Sequence, residues 1–272
     1  MDDLVALARL VDALRPWLGK LVVVGGWAHR LHRLSPLASA PRYQPVRTLD
    51  ADLAFSLGEK LQGDIAAALK ARDFREQLSG EHTPPVTRYT LGDEAQGFFA
   101  EFLTPLTGSG IRRNGTADAT VRRAGVTAQK LRHLEVLLLD PITVRLSKAD
   151  GIPLPEPADV RLANPVSFIA QKLLIHAVRA PAKRPQDVLY IHDTIDLFGA
   201  RLNELSALWH ERIRKSVGRR AANDVERLAG EMFAEVTDVI RSTARIPQDR
   251  TLTPEELRAR CAYGLEMIFH QR

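Results

Sequence analysis

The sequence predicts an α/β (α+β) fold in which a mixed β-sheet core with flanking helices is followed by a helical C-terminal domain. In the first half, short β-branched or alternating apolar runs are separated by stretches with the apolar spacing of helices. From Asn164 onward, helix start signals replace strand signals. A content of 45% hydrophobic and 26% charged residues is that of a folded globular protein and excludes disorder as the main state.

The spacing of apolar residues predicts the helices and strands of the first half. Helical spacing of apolar residues predicts helices over 2–15, 27–34 and 59–74. β-Branched or alternating runs predict strands over 21–24, 48–56, 86–91, 97–104 and 142–146. A hairpin turn is expected at 92–94, whereas 131–139 fits both strand and helix spacing.

Residues 107–125 form a polar, glycine-bearing and basic stretch. It contains Arg112, Arg113, Arg122 and Arg123 and predicts a long, mobile surface loop of the kind that often carries function. With the basic run at 212–220, these arginines would form a surface for an RNA backbone, although such runs are more often solvated faces.

The second half carries three helix start signals. Asn164-Pro165 fits an N-cap followed by proline at the first helical position, Pro185 opens another helix, and Thr253 begins a capping box with Glu256. The prolines at 153, 155 and 157 indicate a stiff connector. The expected domains are therefore a core over 1–155 and a helical domain over 156–272.

Composition narrows the cellular setting and the partners. A single cysteine, Cys261, excludes an intramolecular disulfide framework and a cysteine metal cluster, so a reducing, cytoplasmic compartment is expected. The acidic start and the lack of an apolar run of roughly 18 to 20 residues predict neither a signal peptide nor a membrane span. The net charge of +5 allows a phosphate-bearing partner without requiring one.

Asp50 and Asp52 are candidate metal ligands. They are two residues apart on a predicted strand, so both carboxylates project from the same face and can bridge divalent cations. Two Mg²⁺ ions at such a site support phosphoryl transfer. The alternative is an ordinary polar strand face in contact with water.

Gly25-Gly26 lies between a predicted strand and a predicted helix. A glycine turn there would let backbone N–H groups approach a triphosphate at the positive end of the helix dipole. The alternative is a structural turn. Trp27 is expected to pack the turn against the sheet, and His29 and His32 are expected to be surface or capping residues.

Glu101 lies within an apolar strand, where an unpaired carboxylate is costly. Sharing metal ions with Asp50 and Asp52 across adjacent strands would satisfy it, and a salt bridge to Arg88 or Arg47 would do so equally. Both interpretations stay open at this point.

Lys172 and Asp187 are the candidates of the helical half. A helix over 165–179 would place Lys172 on a basic stripe able to hold phosphates, and the same stripe would also serve as a solvated face. Asp187 shares a face with apolar residues and needs a cation nearby, for which Lys172 is the candidate.

The segments Val24-Gly25-Gly26-Trp27-Ala28, Thr48-Leu49-Asp50-Ala51-Asp52-Leu53 and Glu101-Phe102-Leu103-Thr104, followed by Lys172 and Asp187, resemble the nucleotidyltransferase superfamily of DNA polymerase beta type. The resemblance spans roughly residues 20 to 200 and is greatest to the AbiEii-like, type IV toxin branch. Two departures are that Gly-Gly stands where the superfamily usually has Gly-Ser, and that Glu101 replaces a third aspartate.

The resemblance implies a nucleotidyltransferase-type core and an enzyme that moves a nucleoside monophosphate from an NTP to an acceptor hydroxyl with release of pyrophosphate. Asp50, Asp52 and Glu101 would be catalytic and hold two Mg²⁺ ions, with Mn²⁺ as a substitute. Gly25, Gly26 and Lys172 would bind the nucleotide, and Asp187 would position Lys172 or the acceptor.

The acceptor that the resemblance implies is RNA, at a tRNA 3′ end, as for the toxin of a toxin-antitoxin pair, with an antitoxin protein as partner. Two alternatives remain: transfer to a small molecule such as an aminoglycoside, which predicts an acidic acceptor pocket, and a protein that binds nucleotide or RNA without turnover.

Overall fold

The computed structural model describes residues 2–39, 41–80, 84–92 and 97–271. The chain divides into two compact units. The first, here called the sheet unit, consists of Met1–Ala28 and Arg47–Ala163, and the second, the helical unit, consists of His29–Val46 and Asn164–Arg272.

The sheet unit contains one mixed sheet, in which the described residues form nine strands. The strands are β1 (Val22–Val24), β2 (Asp50–Ala54), β3 (Arg75–Ser79), β4 (Val86–Leu91), β5 (Phe98–Pro105), β6 (Thr120–Arg123), β7 (Val126–Leu131), β8 (Ile142–Leu146) and β9 (Ala158–Leu162). Their order is β3-β4-β5-β2-β1-β9-β8, with β7 also paired to β5 and β6 paired to β7. Parallel pairs (β2 with β5, β1 with β9, β5 with β7) occur beside antiparallel ones, which confirms the predicted mixed α/β core.

Alternation along the central strands gives the sheet an apolar face and a partly polar face. Ala51, Leu53, Tyr89, Ala100 and Phe102 are buried on the apolar face. This is the side predicted from the alternating pattern of 48–56.

The opposite face is apolar at one end only. There Leu103, Val24 and Ala54 pack against Leu134 and Leu137 of α4 (Leu134–Leu137). Beyond this cluster the same face carries charged and polar side chains, and the candidate site lies among them.

The helices of the sheet unit besides α4 are α1 (Asp3–Ala13), α3 (Ile65–Lys70) and the start of α2 (Gly25–Leu31), which continues into the helical unit. The helical unit contains α5 (Pro165–Ile175), α6 (Arg184–Leu197), α7 (Leu202–Leu208), α8 (Arg214–Ser216), α9 (Arg219–Glu231), α10 (Asp238–Ala244) and α11 (Pro254–Phe269). Asn164 caps α5 through Ser167 N, and Thr253 and Glu256 form a capping box on α11, as predicted. None of the described helices is both long and apolar enough to cross a membrane.

The structure corrects one predicted helix, adds one strand that was not predicted, and leaves one predicted turn partly outside the described residues. The helix expected over 59–74 is confined to α3, because Gly63 at φ +81° precedes its N-cap Asp64. The edge strand β3 was missed because its exposed, polar side chains give no apolar alternation. The hairpin predicted at 92–94 includes Asp93 and Glu94, which lie outside the described residues, although β4 and β5 do pair antiparallel.

The loop predicted over 107–125 is also wrong in part. Its end forms β6, which pairs with β7, and an isolated bridge joins Ile111 to Ala117. The segment is polar because this hairpin is exposed, with Arg122 and Arg123 outward, and not because it lacks structure.

Candidate functional site

The strand register brings the three predicted carboxylates to one face of the sheet unit. Asp52 in β2 is paired with Glu101 in β5, which is paired in turn with Arg88 in β4. Asp50 is paired with Phe99. Since directly opposed residues of neighbouring strands project to the same side, Asp50, Asp52 and Glu101 share the partly polar face.

Asp52 lies over the glycine turn that follows β1. Gly25 has a φ of +63°, a left-handed conformation that side chains disfavour. A Cβ atom built on Gly25 would lie 2.3 Å from Asp52 Oδ2, so only glycine fits under this carboxylate. The glycine turn and β2 are therefore in direct contact. Gly26 is buried beside it.

Asp50 is half-buried at the start of β2. The hydroxyl of Thr48 donates a hydrogen bond to Asp50 Oδ1, which fixes the orientation of this carboxylate before any ligand arrives. Trp27 is fully buried with its ring edge-on to Phe98 at 5.9 Å between centroids, which confirms the predicted packing role.

Glu101 is bound to Arg88, one of the two partners left open by the sequence. Arg88 Nε and Nη2 lie 2.7 Å and 2.6 Å from the same oxygen, Glu101 Oε1. The guanidinium also stacks on Phe99, with Cζ 4.2 Å from the ring centroid. Arg47, the other open partner, instead approaches Asp3 at 3.9 Å.

Among the residues that the structure describes, no group of three or more His, Cys, Asp or Glu side chains is arranged to hold a metal ion. Mg²⁺ does not require such a cage, because it is commonly bound by one or two carboxylates together with water and substrate phosphates. Asp50 and Asp52 provide two oxygen ligands on one face and fit that arrangement. Glu101, held by Arg88, is a neighbour of this pair, and its role as a metal ligand stays a prediction.

Lys172 and Asp187 form a buried ion pair in the helical unit, as predicted from the sequence. Lys172 Nζ is 2.7 Å from Asp187 Oδ1, and Arg179 Nε is 2.8 Å from Asp187 Oδ2. The ammonium also lies 5.5 Å and 5.4 Å from the rings of Phe168 and Tyr190. The two residues belong to a different compact unit from the carboxylates, and their nucleotide-binding roles stay predictions.

The prediction that His29 and His32 are surface residues is wrong. Their exposed fractions are 2% and 0%. The rings of Phe168 and Tyr190 both pack against His29, at 6.0 Å and 4.9 Å between ring centroids. Burial lowers the pKa of His29 to about 3, so this ring is neutral near pH 7.

Sequence reasoning did not assign Phe99 or Arg88 to the site itself. The signal was available in the alternation of β4 and β5, which places Arg88, Phe99 and Glu101 on the side opposite the buried Tyr89 and Ala100. The pairing register, which the sequence did not provide, was needed to align the two strands.

None of the curated proteins compared with the chain matches it. A protein-family model described as a nucleotidyltransferase matches residues 2–214. The matched region includes the glycine turn, both aspartates, Glu101, Lys172 and Asp187. Because this match covers most of the chain, the protein belongs to the nucleotidyltransferase family.

Proposed function

We propose that the protein transfers a nucleoside monophosphate from an NTP to a hydroxyl group of an RNA and releases pyrophosphate. The observation that carries the proposal is the placement of Asp50, Asp52 and Glu101 on one sheet face beside the Gly25 turn, within a chain of the nucleotidyltransferase family. Transfer of this kind depends mainly on positioning and charge stabilisation, which such a rigid set of side chains provides.

The two aspartates would hold the Mg²⁺ that binds the reacting phosphate. Asp50 is oriented by Thr48, and Asp52 is held against the glycine turn, so neither carboxylate has to reorganise when substrate binds. Bound Mg²⁺ would neutralise triphosphate charge and polarise the transferred phosphoryl group. Gly25 and Gly26 provide a turn without side chains, along which the triphosphate lies close to Asp52.

Arg88 and Phe99 favour RNA as the acceptor over a small cationic molecule. A small amine-bearing acceptor such as an aminoglycoside would require an acidic pocket beside the catalytic carboxylates. The next positions on the sheet face instead hold Arg88, which neutralises Glu101 and lies over Phe99, so no further acidic group among the described residues adjoins the aspartates there and a cation and an aromatic ring border the site. The exposed Arg122 and Arg123 of β6 add positive charge to the same unit.

Lys172 and Asp187 enter the proposal as predictions from the family resemblance. Lys172 would contact the nucleotide phosphates, and Asp187 would position Lys172 through the 2.7 Å ion pair. If so, Lys172→Ala raises the KM for NTP, whereas Lys148→Ala, at an exposed lysine, leaves it unchanged.

The direct test incubates the protein with Mg²⁺, each labelled NTP in turn and a total tRNA pool. We expect label on RNA with the wild type and with Asp159→Asn, an exposed aspartate of the sheet unit, and at least a thousandfold less with Asp52→Asn. Equal labelling by the wild type and Asp52→Asn would contradict the proposal.

Other outcomes distinguish the alternatives. NTP binding without labelled RNA, but with labelled small amino alcohols, would assign a small-molecule acceptor. Salt-sensitive RNA binding that survives Asp52→Asn without any transfer would assign a binding protein. Failure to bind NTP under any condition would overturn the transferase proposal.

The toxin role and the antitoxin partner follow from the AbiEii-like resemblance and are proposed with it. Induced expression of the wild type should stop growth and leave labelled or extended tRNA ends, and Asp52→Asn should not. Growth that continues at a verified expression level would contradict the toxin role while leaving the enzymatic proposal intact.

A further inference from the structure

A row of four charged or polar side chains crosses four adjacent strands of the sheet unit. The register aligns Gln77 of β3, Arg88 of β4, Glu101 of β5 and Asp52 of β2. Arg88 is therefore the only cation in a row that ends in two carboxylates. Its side chain is 37% exposed and that of Glu101 is 20% exposed, so both remain accessible from solvent.

The contact between Arg88 and Glu101 is geometrically fixed. Two guanidinium nitrogens converge on Glu101 Oε1, and the guanidinium carbon Cζ lies over the Phe99 ring. A surface arginine held by a single ion pair would move among rotamers, whereas stacking and two hydrogen bonds hold this one in place. The charge of Glu101 is thus balanced within the protein before any metal ion binds.

We propose that Arg88 is a positioning residue that acts as an internal counter-ion for Glu101 and keeps metal affinity low in the nucleotide-free protein. This inference rests on the proposed function, because it assumes that Asp50, Asp52 and Glu101 face a divalent cation. With Glu101 neutralised, Asp50 and Asp52 alone bind the cation weakly. The negative charge of the triphosphate then provides the missing attraction, so cation and nucleotide bind together.

The test measures Mn²⁺ affinity of the full-length protein by electron paramagnetic resonance, without nucleotide. Arg88→Met removes the charge but keeps an apolar stem over Phe99. We expect it to bind Mn²⁺ about tenfold more tightly, an effect comparable to that of one neighbouring charge on a carboxyl group. Arg88→Lys retains the charge and should stay near the wild-type affinity.

A double variant assigns the effect to Glu101. In Arg88→Met/Glu101→Gln the gain should disappear, because the released carboxylate is gone. A second titration adds a non-hydrolysable NTP: it should tighten Mn²⁺ binding by the wild type strongly and that by Arg88→Met much less.

The inference is overturned if Arg88→Met binds Mn²⁺ no more tightly than the wild type, or if the double variant keeps the full gain. Circular dichroism and thermal unfolding verify folding of each variant, and Arg88→Gln replaces Arg88→Met if the latter does not fold. Absence of nucleotide transfer to any acceptor would remove the proposed function, yet the Mn²⁺ cycle would still report whether Arg88 neutralises Glu101.

Discussion

The carboxylate of Asp52 lies directly over Gly25, where a methyl group would approach Oδ2 to 2.3 Å. The positive φ of +63° at Gly25 and this contact both require glycine. The first turn of α2 and the middle of β2, which are distant in sequence, are thereby held in direct contact.

Gly25→Ala should therefore abolish activity and lower stability. Left-handed backbone alone costs an alanine about 1 kcal/mol, and the contact with Asp52 adds to that. Gly151→Ala is the matched control, because Gly151 has a φ of +75° and open space around it. In urea unfolding we expect Gly25→Ala to lose clearly more stability than Gly151→Ala, and equal losses would refute the steric argument.

Lys172→Met should destabilise the helical unit. Asp187 would stay buried with only Arg179 as its partner, since Lys172 and Asp187 are 7% and 2% exposed. We expect a loss of about 2 to 3 kcal/mol in the free energy of unfolding, because one partner of a buried pair is removed. Lys148→Met, at an exposed lysine, should change it by less than about 0.5 kcal/mol. If Lys172→Met/Asp187→Asn restores no stability, the loss does not arise from the unpaired charge.

Protonation of His29 should make the protein less stable in acid. Its pKa is about 3 in the folded protein and near 6.5 when unfolded, so the unfolded chain binds the proton first as the pH falls. Stability should decline from pH 6.5 toward pH 3, by about 2 to 3 kcal/mol at pH 4.5. Thermal unfolding of His29→Leu should show a flatter pH profile, whereas His270→Leu, at an exposed histidine, should follow the wild type. An unchanged profile in His29→Leu would contradict this assignment.

Asp193 affects a different pH range. Burial raises the pKa of Asp193, but hydrogen bonds from His192 and Arg250 together outweigh burial and hold this pKa below its usual value. The stability that Asp193 contributes is therefore present above about pH 4 and lost below it. A decline between pH 6.5 and 4.5 therefore does not arise from Asp193.

Arg122 and Arg123 should contribute to RNA affinity without affecting NTP binding. Each phosphate contact that is lost lowers the dependence of log K on log salt by about one. We expect Arg122→Ala/Arg123→Ala to weaken tRNA binding and reduce that slope by about two in filter-binding titrations. Arg201→Ala/Arg227→Ala removes the same charge from the helical unit, where both arginines pair with acids. Equal weakening by both variants would indicate only a general charge effect.

The sequence predicted best those elements that bury one face and leave the other exposed. Alternation in 48–56 predicted β2 and the common face of Asp50 and Asp52, because an apolar face must be covered. The caps at Asn164 and Thr253 were predictable from local hydrogen bonding alone.

The sequence predicted least well those features that depend on which strands pair and on contacts between residues distant in sequence. β9 pairs with β1 and β8, although it directly follows the prolines at 153, 155 and 157, which predicted a connector. The choice of Arg88 over Arg47 as the partner of Glu101 depends on the register of β4 against β5, which no local period encodes. His29 was misjudged because its burial depends on Phe168 and Tyr190, far away in sequence.

The register between β2 and β5 also couples correct folding to chemical competence. A slip of one residue would turn Asp50 and Asp52 toward the aromatic interior and expose Leu53. A sheet in this shifted register would be destabilised by the buried carboxylates, and it would also lose Asp50 and Asp52 as ligands for a cation. Buried charge thus destabilises the shifted strand register. A protein molecule with a stable sheet therefore already has Asp50, Asp52 and Glu101 together on one face.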